Sequence, residues 1–319
     1  MIALPINPML SMKVESPGAD ELSVDEKFPV LERGDTMYEP KWDGHRLIVS
    51  VQGGKVRVWT RSQRDVTSDW PEIRSMFVGL TADYVFDGEL LCLDEHGRPS
   101  IAALGLAGRL SADQRMERIR YAMFDVLEVG GVDLQRKPYV ERRANVEQIV
   151  PWLPRVMLTP SIGDGRAMWN AIIVAGMEGV IAKPKLSRYL QGERGQWLKL
   201  KALQRREFLV IGYTAGEGSR TGAFGAIVLG ERGVDGEVHY AGKCGTGWND
   251  RSSNALLALM RPFETDEPPL GRAELIRIRQ KIGPRRVTWV RPAISGVVEF
   301  AERTADGIPR FPAWKGVSG

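Results

Sequence analysis

Cysteine and histidine are scarce in this 319-residue chain, which has two cysteines, Cys92 and Cys244, and three histidines, His45, His96 and His239. All five are scattered, without metal-ligand spacing. That excludes a disulfide framework and a Cys/His zinc site, and a reduced, cytoplasmic setting is the default expectation. Long apolar runs are also missing. None reaches the ~18 residues that a membrane-spanning helix needs, and the N-terminal stretch has neither the basic start nor the apolar core of a signal peptide. No membrane partner is expected. Internal repeats and low-complexity segments are absent too. The remainder, 43% apolar and 26% charged, is ordinary globular composition, long enough for two domains.

Net charge is modest at +4, but its placement is uneven. Residues 1–203 carry 27 basic and 27 acidic side chains, whereas residues 204–319 carry 17 and 13. Within the stretch 272–291, Arg272, Arg277, Arg279, Lys281, Arg285, Arg286 and Arg291 stand against one acid, Glu274. Such a cluster suits a polyanion, because neutralised phosphates release counterions. A solvated face is the equal alternative on charge alone.

Short β-like runs dominate the first part: H-R-L-I-V-S-V, K-V-R-V-W-T, Y-V-F-D-G-E-L-L-C-L, R-I-R-Y-A-M-F-D-V-L, G-V-I-A-K-P and Q-W-L-K-L-K. Q-G-G-K at 52–55 predicts a hairpin turn between the first two. Helical periodicity is visible at 69–80, 138–150 and 163–177, the last with Asp164 as N-cap and Gly176 as stop. Strands interleaved with a few helices, without regular alternation, argue for an α+β fold. After residues 202–205 the texture changes to E-F-L-V-I-G-Y-T, A-F-G-A-I-V-L-G, G-E-V-H-Y-A-G-K and S-G-V-V-E-F-A-E-R-T, separated by glycine-rich turns and one helix at 251–263. Five or so strands and one helix suit a small, partly open β-barrel of the oligonucleotide-binding type.

Chemistry concentrates around Y-E-P-K-W-D-G-H-R-L at 38–47. Pro40 holds Glu39 extended, and Asp43-Gly44 favours a tight turn, so Lys41 is expected at a strand end facing a cleft. A neutral lysine amine is a good nucleophile, but burial or nearby cations must first lower its pKa. By itself the motif reads equally well as a surface ion pair. Further along, W-T-R-S-Q-R places Arg61 and Arg64 at the end of the hairpin, and F-D-G-E-L presents Glu89. Phe124 offers a flat apolar surface, Glu178 and Lys183 flank a short strand, and Lys199 and Lys201 share a strand face. Singly, Phe124 reads as a core residue, the acids read equally well as ion-pair partners or as site residues, and the lysines also fit an edge-strand charge pair.

Taken together and in this order, P-M-L at 8–10, E-P-K-W-D-G, F-D-G-E-L, E-G-V-I-A-K and W-L-K-L-K resemble the covalent nucleotidyltransferase superfamily. The likeness continues through E-F-L-V-I-G-Y-T, G-S-R-T-G-A-F-G-A-I-V-L-G and Y-A-G-K-C-G-T-G-W, and so covers nearly the whole chain. Within the superfamily it is nearest the ATP-dependent DNA ligases, and among those the ligase domain of bacterial end-joining enzymes.

The resemblance implies a mixed, largely antiparallel, ATP-grasp-like adenylation domain over 1–203 and an OB-fold β-barrel over 204–319. It implies three displacements: Lys41 takes AMP from ATP, the AMP moves to a 5′-phosphate at a nick in duplex DNA, and the 3′-hydroxyl then displaces it. Lys199 and Lys201 would hold the α-phosphate, with Lys183 a further phosphate candidate. Arg61 would contact the nick 5′-phosphate. Arg46 would hold the ribose and phosphate side of AMP, Phe124 would stack on adenine, and Glu39 would read its amino edge. Glu178 and Glu89 would serve a magnesium ion, with manganese as the alternative, or the ribose hydroxyls. Duplex contacts would come from Arg61, Arg64, Arg277, Arg279, Lys281, Arg285 and Arg286. A monomer is expected, in bacterial or phage-infected cytoplasm, serving DNA repair, replication or recombination.

Three departures from the family pattern stand out. Ser318 occupies the place of the arginine in a terminal Arg-x-Asp-Lys and the sequence ends at Gly319, which implies slow self-adenylylation unless Lys315 or Arg310 compensates. Gln63 replaces a glycine shortly after Arg61. No helical DNA-binding domain precedes the core, so a loop, the basic stretch 272–291 or an accessory DNA-end-binding protein would grip the duplex. The alternatives are an RNA ligase, a capping-type nucleotidyltransferase, or an impaired DNA-end-binding scaffold. Incubation with α-labelled ATP and magnesium is expected to leave label on the denatured protein, and Lys41→Ala to abolish it. An adduct persisting in that variant would remove Lys41 as nucleophile.

Overall fold

The computed structural model describes residues 2–14, 16–17, 28–216, 224–272, 274–276, 278, 287–301, 303–304 and 306–318. Its internal contacts divide it into two compact units, the first built from Met1–Pro17 and Glu21–Ala202 and the second including Leu203–Gly319.

The first unit runs β1 (Leu10–Lys13), β2 (Thr36–Pro40), β3 (His45–Gln52), β4 (Lys55–Thr60), α1 (Pro71–Met76), β5 (Tyr84–Cys92), α2 (Ile101–Leu106), α3 (Ala112–Arg118), β6 (Ile119–Val129) and β7 (Val132–Asp133). It continues with α4 (Tyr139–Ile149), β8 (Val156–Leu158), α5 (Gly165–Val174), β9 (Gly179–Pro184) and β10 (Arg194–Lys201). Two sheets result. One has the order β1-β10-β9-β2, and the other β4-β3-β5-β6-β7 with β8 beside β6. The expected hairpin is present, Gln52 facing Lys55 across Gly53 and Gly54 at φ 54° and 72°. Both glycines occupy the left-handed region that such a two-residue turn requires.

Alternation along β3 explains how the sheets stack. Leu47, Val49 and Val51 join Phe86, Met123, Ile73, Leu104 and Val146 in a core covered by helices. Ile48 points the other way, with Trp59, Val85 and Leu127, into a second apolar layer shared with Met9, Tyr189 and Trp197 of the four-stranded sheet's side. A strand buried on both faces loses the clean polar alternation of an exposed one.

The three expected helices are present but shorter, as α1, α4 and α5. Asp164 caps α5 by accepting from the Ala167 amide at 2.9 Å, and Gly176 beyond its end has φ 63°. Helices α2 and α3 went unforeseen because each is under two turns and shows no apolar stripe. Their signals were caps: Ser100, and the reciprocal Ser111–Gln114 capping box.

A buried ion pair anchors α4 to β6. Arg142 donates twice to Asp125 at 2.8 Å and also to the carbonyls of Lys137 and Ser187, at 2.6 and 3.0 Å. Both side chains are wholly removed from solvent.

The second unit contains β11 (Gln204–Ala215), β12 (Phe224–Arg232), β13 (Val238–Cys244), α6 (Asp250–Met260), β14 (Glu264–Thr265), β15 (Val287–Val290), β16 (Ser295–Phe300) and β17 (Ala313–Val317). Strand β11 pairs with β12 along one edge, and with β16 and then β15 along the other. One long strand serving two partners in succession curls the sheet around Phe208, Phe224, Leu229, Leu256, Met260 and Trp314, the partly open barrel expected. Among the described residues, seven strands form this sheet rather than five or so. The two-residue β14, the four-residue β15 and the glycine-broken A-W-K-G-V of β17 carry too little period-two signal to be read in advance. Arg277, Arg279, Lys281, Arg285 and Arg286 lie outside the described residues.

Replacing Arg142 with leucine should cost about 3–5 kcal/mol, because a buried carboxylate is left without its partner. Urea denaturation of the two proteins checks this, and a loss below about 1 kcal/mol would show that the pair is not the anchor.

Candidate active site

Strand ends make the site. Antiparallel pairing of β2 with β9 places Pro40 opposite Val180, and the ladder extends to a 2.7 Å bond from the Lys41 amide to the Gly179 carbonyl. Pairing of β9 with β10 places Lys201 opposite Gly179, and the Ala202 amide reaches the Glu178 carbonyl at 2.9 Å. Residues 41, 178 and 201 therefore meet at one end of the four-stranded sheet. Gly179 makes this approach feasible: its φ is 150°, and a Cβ there would sit 2.0 Å from the Leu200 carbonyl oxygen.

Glu178 bridges the two lysines. One carboxylate oxygen is bonded to the Lys41 ammonium and the other lies 2.9 Å from that of Lys201. Burial pushes the Glu178 carboxyl up, but the Lys41 charge and the hydrogen bonds from both lysines outweigh it and hold it below its ordinary value. The partner acid of Lys41 is thus Glu178, far away in sequence, and not its neighbours Glu39 and Asp43.

The second sheet supplies the facing wall. Arg46 on β3 is in register with Glu89 on β5, Arg61 follows β4, and Phe124 lies on β6. Lys41, Arg46, Arg61, Glu89, Phe124, Lys199 and Lys201 all line one cavity of about 1110 Å³. Burial, with the charges of Lys41, Lys201, Arg61 and Arg194, lowers the Lys199 pKa. Burial raises the Glu89 carboxyl to about 8 despite Lys41 and Arg46 nearby. Among the described residues, no three His, Cys, Asp or Glu side chains gather as a metal site. The carboxylate pair of Glu89 and Glu178, oxygen donors only, fits a hard divalent cation sharing its shell with water and phosphate.

Several sequence-derived assignments change in detail. Lys183, put forward for phosphate, lines the same cavity, with its ammonium 2.6 Å from the Glu39 carboxylate and within 4.2–5.0 Å of the rings of Trp197, Phe124 and Tyr139. Glu39 is buried, with one oxygen taken by Lys183 and the other by the Tyr139 hydroxyl. Burial drives this acid up and this lysine down, each toward its neutral form. Arg64 is at the cavity mouth, paired with exposed Asp69 at 3.2 Å. Gln63 adopts φ 65°, a left-handed conformation in which a glycine would be unstrained.

Asp87, Tyr139, Tyr189, Arg194 and Trp197 were not foreseen. Asp87 stood inside F-D-G-E-L, where only Glu89 was singled out. It holds Arg46 with two hydrogen bonds of 2.9 and 2.6 Å. Tyr189 carried no signal at all.

The raised Glu89 carboxyl has a definite stability consequence. From its ordinary value of 4.5 to about 8, the folded protein binds a proton that the unfolded chain has lost, so the contribution is complete below that window and disappears as pH rises through it. Glu89→Gln removes this titration. Its urea midpoint, compared with that of the parent at pH 5 and pH 9, should gain relative to the parent as pH rises, and parallel curves would refute the assignment.

Comparison with known proteins places this geometry. A family model for the ATP dependent DNA ligase domain matches residues 8–201, and one for the ATP dependent DNA ligase C terminal region matches residues 220–318. The multifunctional non-homologous end joining protein LigD of Mycolicibacterium smegmatis is 34% identical over 282 residues, covering 88% of this chain and 35% of that protein. A probable DNA ligase of Streptomyces griseus is 31% identical over 327 residues, covering 98% of this chain and 59% of its own. The solved ligase domain of M. tuberculosis LigD is 30% identical with a TM-score of 0.54, over 98% of this chain and 95% of that one. A mycobacterial DNA ligase D complexed with ATP and MES is 29% identical with a TM-score of 0.55, with the same coverage of each chain. This chain spans about a third of the length of the end-joining relatives it matches. With an adenylation-type unit and an OB-fold unit each matched by its own ligase model, the chain belongs to the ATP-dependent DNA ligase family.

Proposed function

We propose that this protein joins a 5′-phosphate to a 3′-hydroxyl at nicks in duplex DNA, using ATP and a lysyl-AMP intermediate on Lys41. The observation that carries the reading is the meeting of Lys41, Lys199, Lys201 and Arg61 with Glu89 in one cavity, with Glu178 bridging Lys41 and Lys201 beside it. A reaction at phosphorus needs positive charge and fixed geometry around the transferred group.

In the first step the Lys41 amine, having lost a proton, attacks the α-phosphorus of ATP. The N–P bond forms as the bond to the bridging oxygen breaks and pyrophosphate leaves with that electron pair. Glu178 orients the Lys41 side chain through their ion pair. Lys199 and Lys201 face the α-phosphate oxygens. In the second step a DNA 5′-phosphate oxygen attacks the same phosphorus and the N–P bond breaks; Arg61 would hold that 5′-phosphate. In the third, the 3′-hydroxyl attacks the 5′-phosphate, loses its proton and releases AMP.

Phe124 offers its ring to the adenine, and Glu39 is the acid nearest to read the amino edge, positioned by Tyr139 and Lys183. A magnesium or manganese ion held by Glu89 and Glu178 would neutralise phosphate charge. The OB-fold unit and the basic stretch 272–291 would hold the duplex by its backbone, without reading bases. End joining is the wider role that the names of the LigD relatives suggest, and an accessory end-binding protein would be a partner in it.

A singly nicked duplex tests the reading. With ATP and magnesium, a nick carrying a 5′-phosphate should be sealed whatever its flanking bases, and one lacking that phosphate should not. Sealing confined to nicked RNA, or to one base sequence, would overturn it.

A further inference from the structure

Arg46 is more constrained than a ligand-binding arginine needs to be. Its Nε donates to Asp87 at 2.9 Å, one Nη to the Met9 carbonyl at 2.6 Å, and the other Nη to Asp87 at 2.6 Å and to the Tyr189 hydroxyl at 3.2 Å. A guanidinium has five N–H donors, so these four bonds leave a single N–H for anything in the cavity. The group also lies 5.4 Å from the Phe124 ring centroid.

The Tyr189 hydroxyl is the node of this arrangement. It donates to Asp87 at 2.6 Å and accepts from the Met9 amide and from Arg46, each at 3.2 Å. One hydrogen and two lone pairs are thereby all used. Burial and the neighbouring Asp87 charge push its pKa well up, so the donor hydrogen is retained. Its three partners come from two sheets: Met9 precedes β1 in one, while Arg46 and Asp87 lie on β3 and β5 in the other. The ring itself is fixed edge-on to Trp197 at 5.8 Å.

We propose that Tyr189 is a positioning residue for the nucleotide: by tying Arg46 and Asp87 to the Met9 segment, its hydroxyl aims the one remaining Arg46 N–H at the AMP moiety beside Phe124. The inference rests on the ligase reading. An N–H that contacts nucleotide both before and during phosphoryl transfer contributes uniform binding, so loosening it raises the half-saturating ATP concentration and leaves the maximal rate alone. Damage to packing does the reverse, lowering the fraction of protein that can be labelled without moving half-saturation.

The test is Tyr189→Phe, which keeps the ring and deletes the hydroxyl. Self-adenylylation is followed with α-labelled ATP over a range of concentrations. Half-saturating ATP should rise about tenfold, the size expected from one hydrogen bond to a charged group, at an unchanged maximal rate per labelled molecule. Because half-saturation is read on whichever fraction folds, reduced stability does not obscure it. In an Arg46→Lys background the same change should add little, since residues acting through one another are not additive. Unchanged half-saturation, or full additivity with Arg46→Lys, would overturn the inference while leaving the ligase reading intact. Absence of label from the parent protein would instead overturn the ligase reading, and the inference with it.

Discussion

Everything in the candidate site depends on one carboxylate placed between two ammonium groups. Glu178 is bonded to Lys41 and lies 2.9 Å from Lys201, and all three residues sit where strands end. Lysines converging on a phosphate site repel one another. An acid between them lets the site remain folded and cationic before any nucleotide arrives, because each charge keeps a partner. The backbone reinforces this, since the amide of Lys41 and that of Ala202 both bond to the 178–179 segment. The geometry of the candidate site is thus an extension of sheet pairing, and does not rely on loops.

Around that centre the charges fall into two classes. Lys41, Lys201, Arg46 and Lys183 each have a carboxylate partner in the protein, which sets where each side chain points. Lys199 lines the same cavity but is depressed in pKa by burial and by the cations around it. Paired cations supply orientation, and the crowded one is relieved when an anion binds. The same logic applies to Glu89, whose burial favours the protonated form until a cation or the charges of the reacting groups compensate it.

Much of the fold was legible in the sequence because its elements announce themselves locally. The β3–β4 hairpin has alternation and a Gly-Gly turn, α5 has its aspartate cap, and the strands of the second unit are spaced by glycines. Helices α2 and α3 and strands β1, β7, β8, β14, β15 and β17 were missed because each is too short to establish a period. In the site, Lys41, Glu89, Glu178, Lys199 and Lys201 stood out through motif order, and the structure gathers all of them. Asp87 and Tyr189 did not stand out, since their importance is a matter of what they touch. Nothing near Tyr189 in the chain indicates that it meets Met9, Arg46 and Asp87.

The sequence by itself determined the element types, the change of texture near residue 203 and the family, and it singled out Lys41, Glu89, Glu178, Lys199 and Lys201, because these follow from local periodicity, turn chemistry and motif order. Only the tertiary structure decided which charges are partners. It joined Lys41 to Glu178, separated from it by 137 positions, instead of to the adjacent acids. It turned Lys183 inward to Glu39 and left Arg46 one free donor. Ion pairing depends on distances of a few ångströms across strands that are remote in the chain, and no pattern along the chain encodes those distances until the sheets have paired.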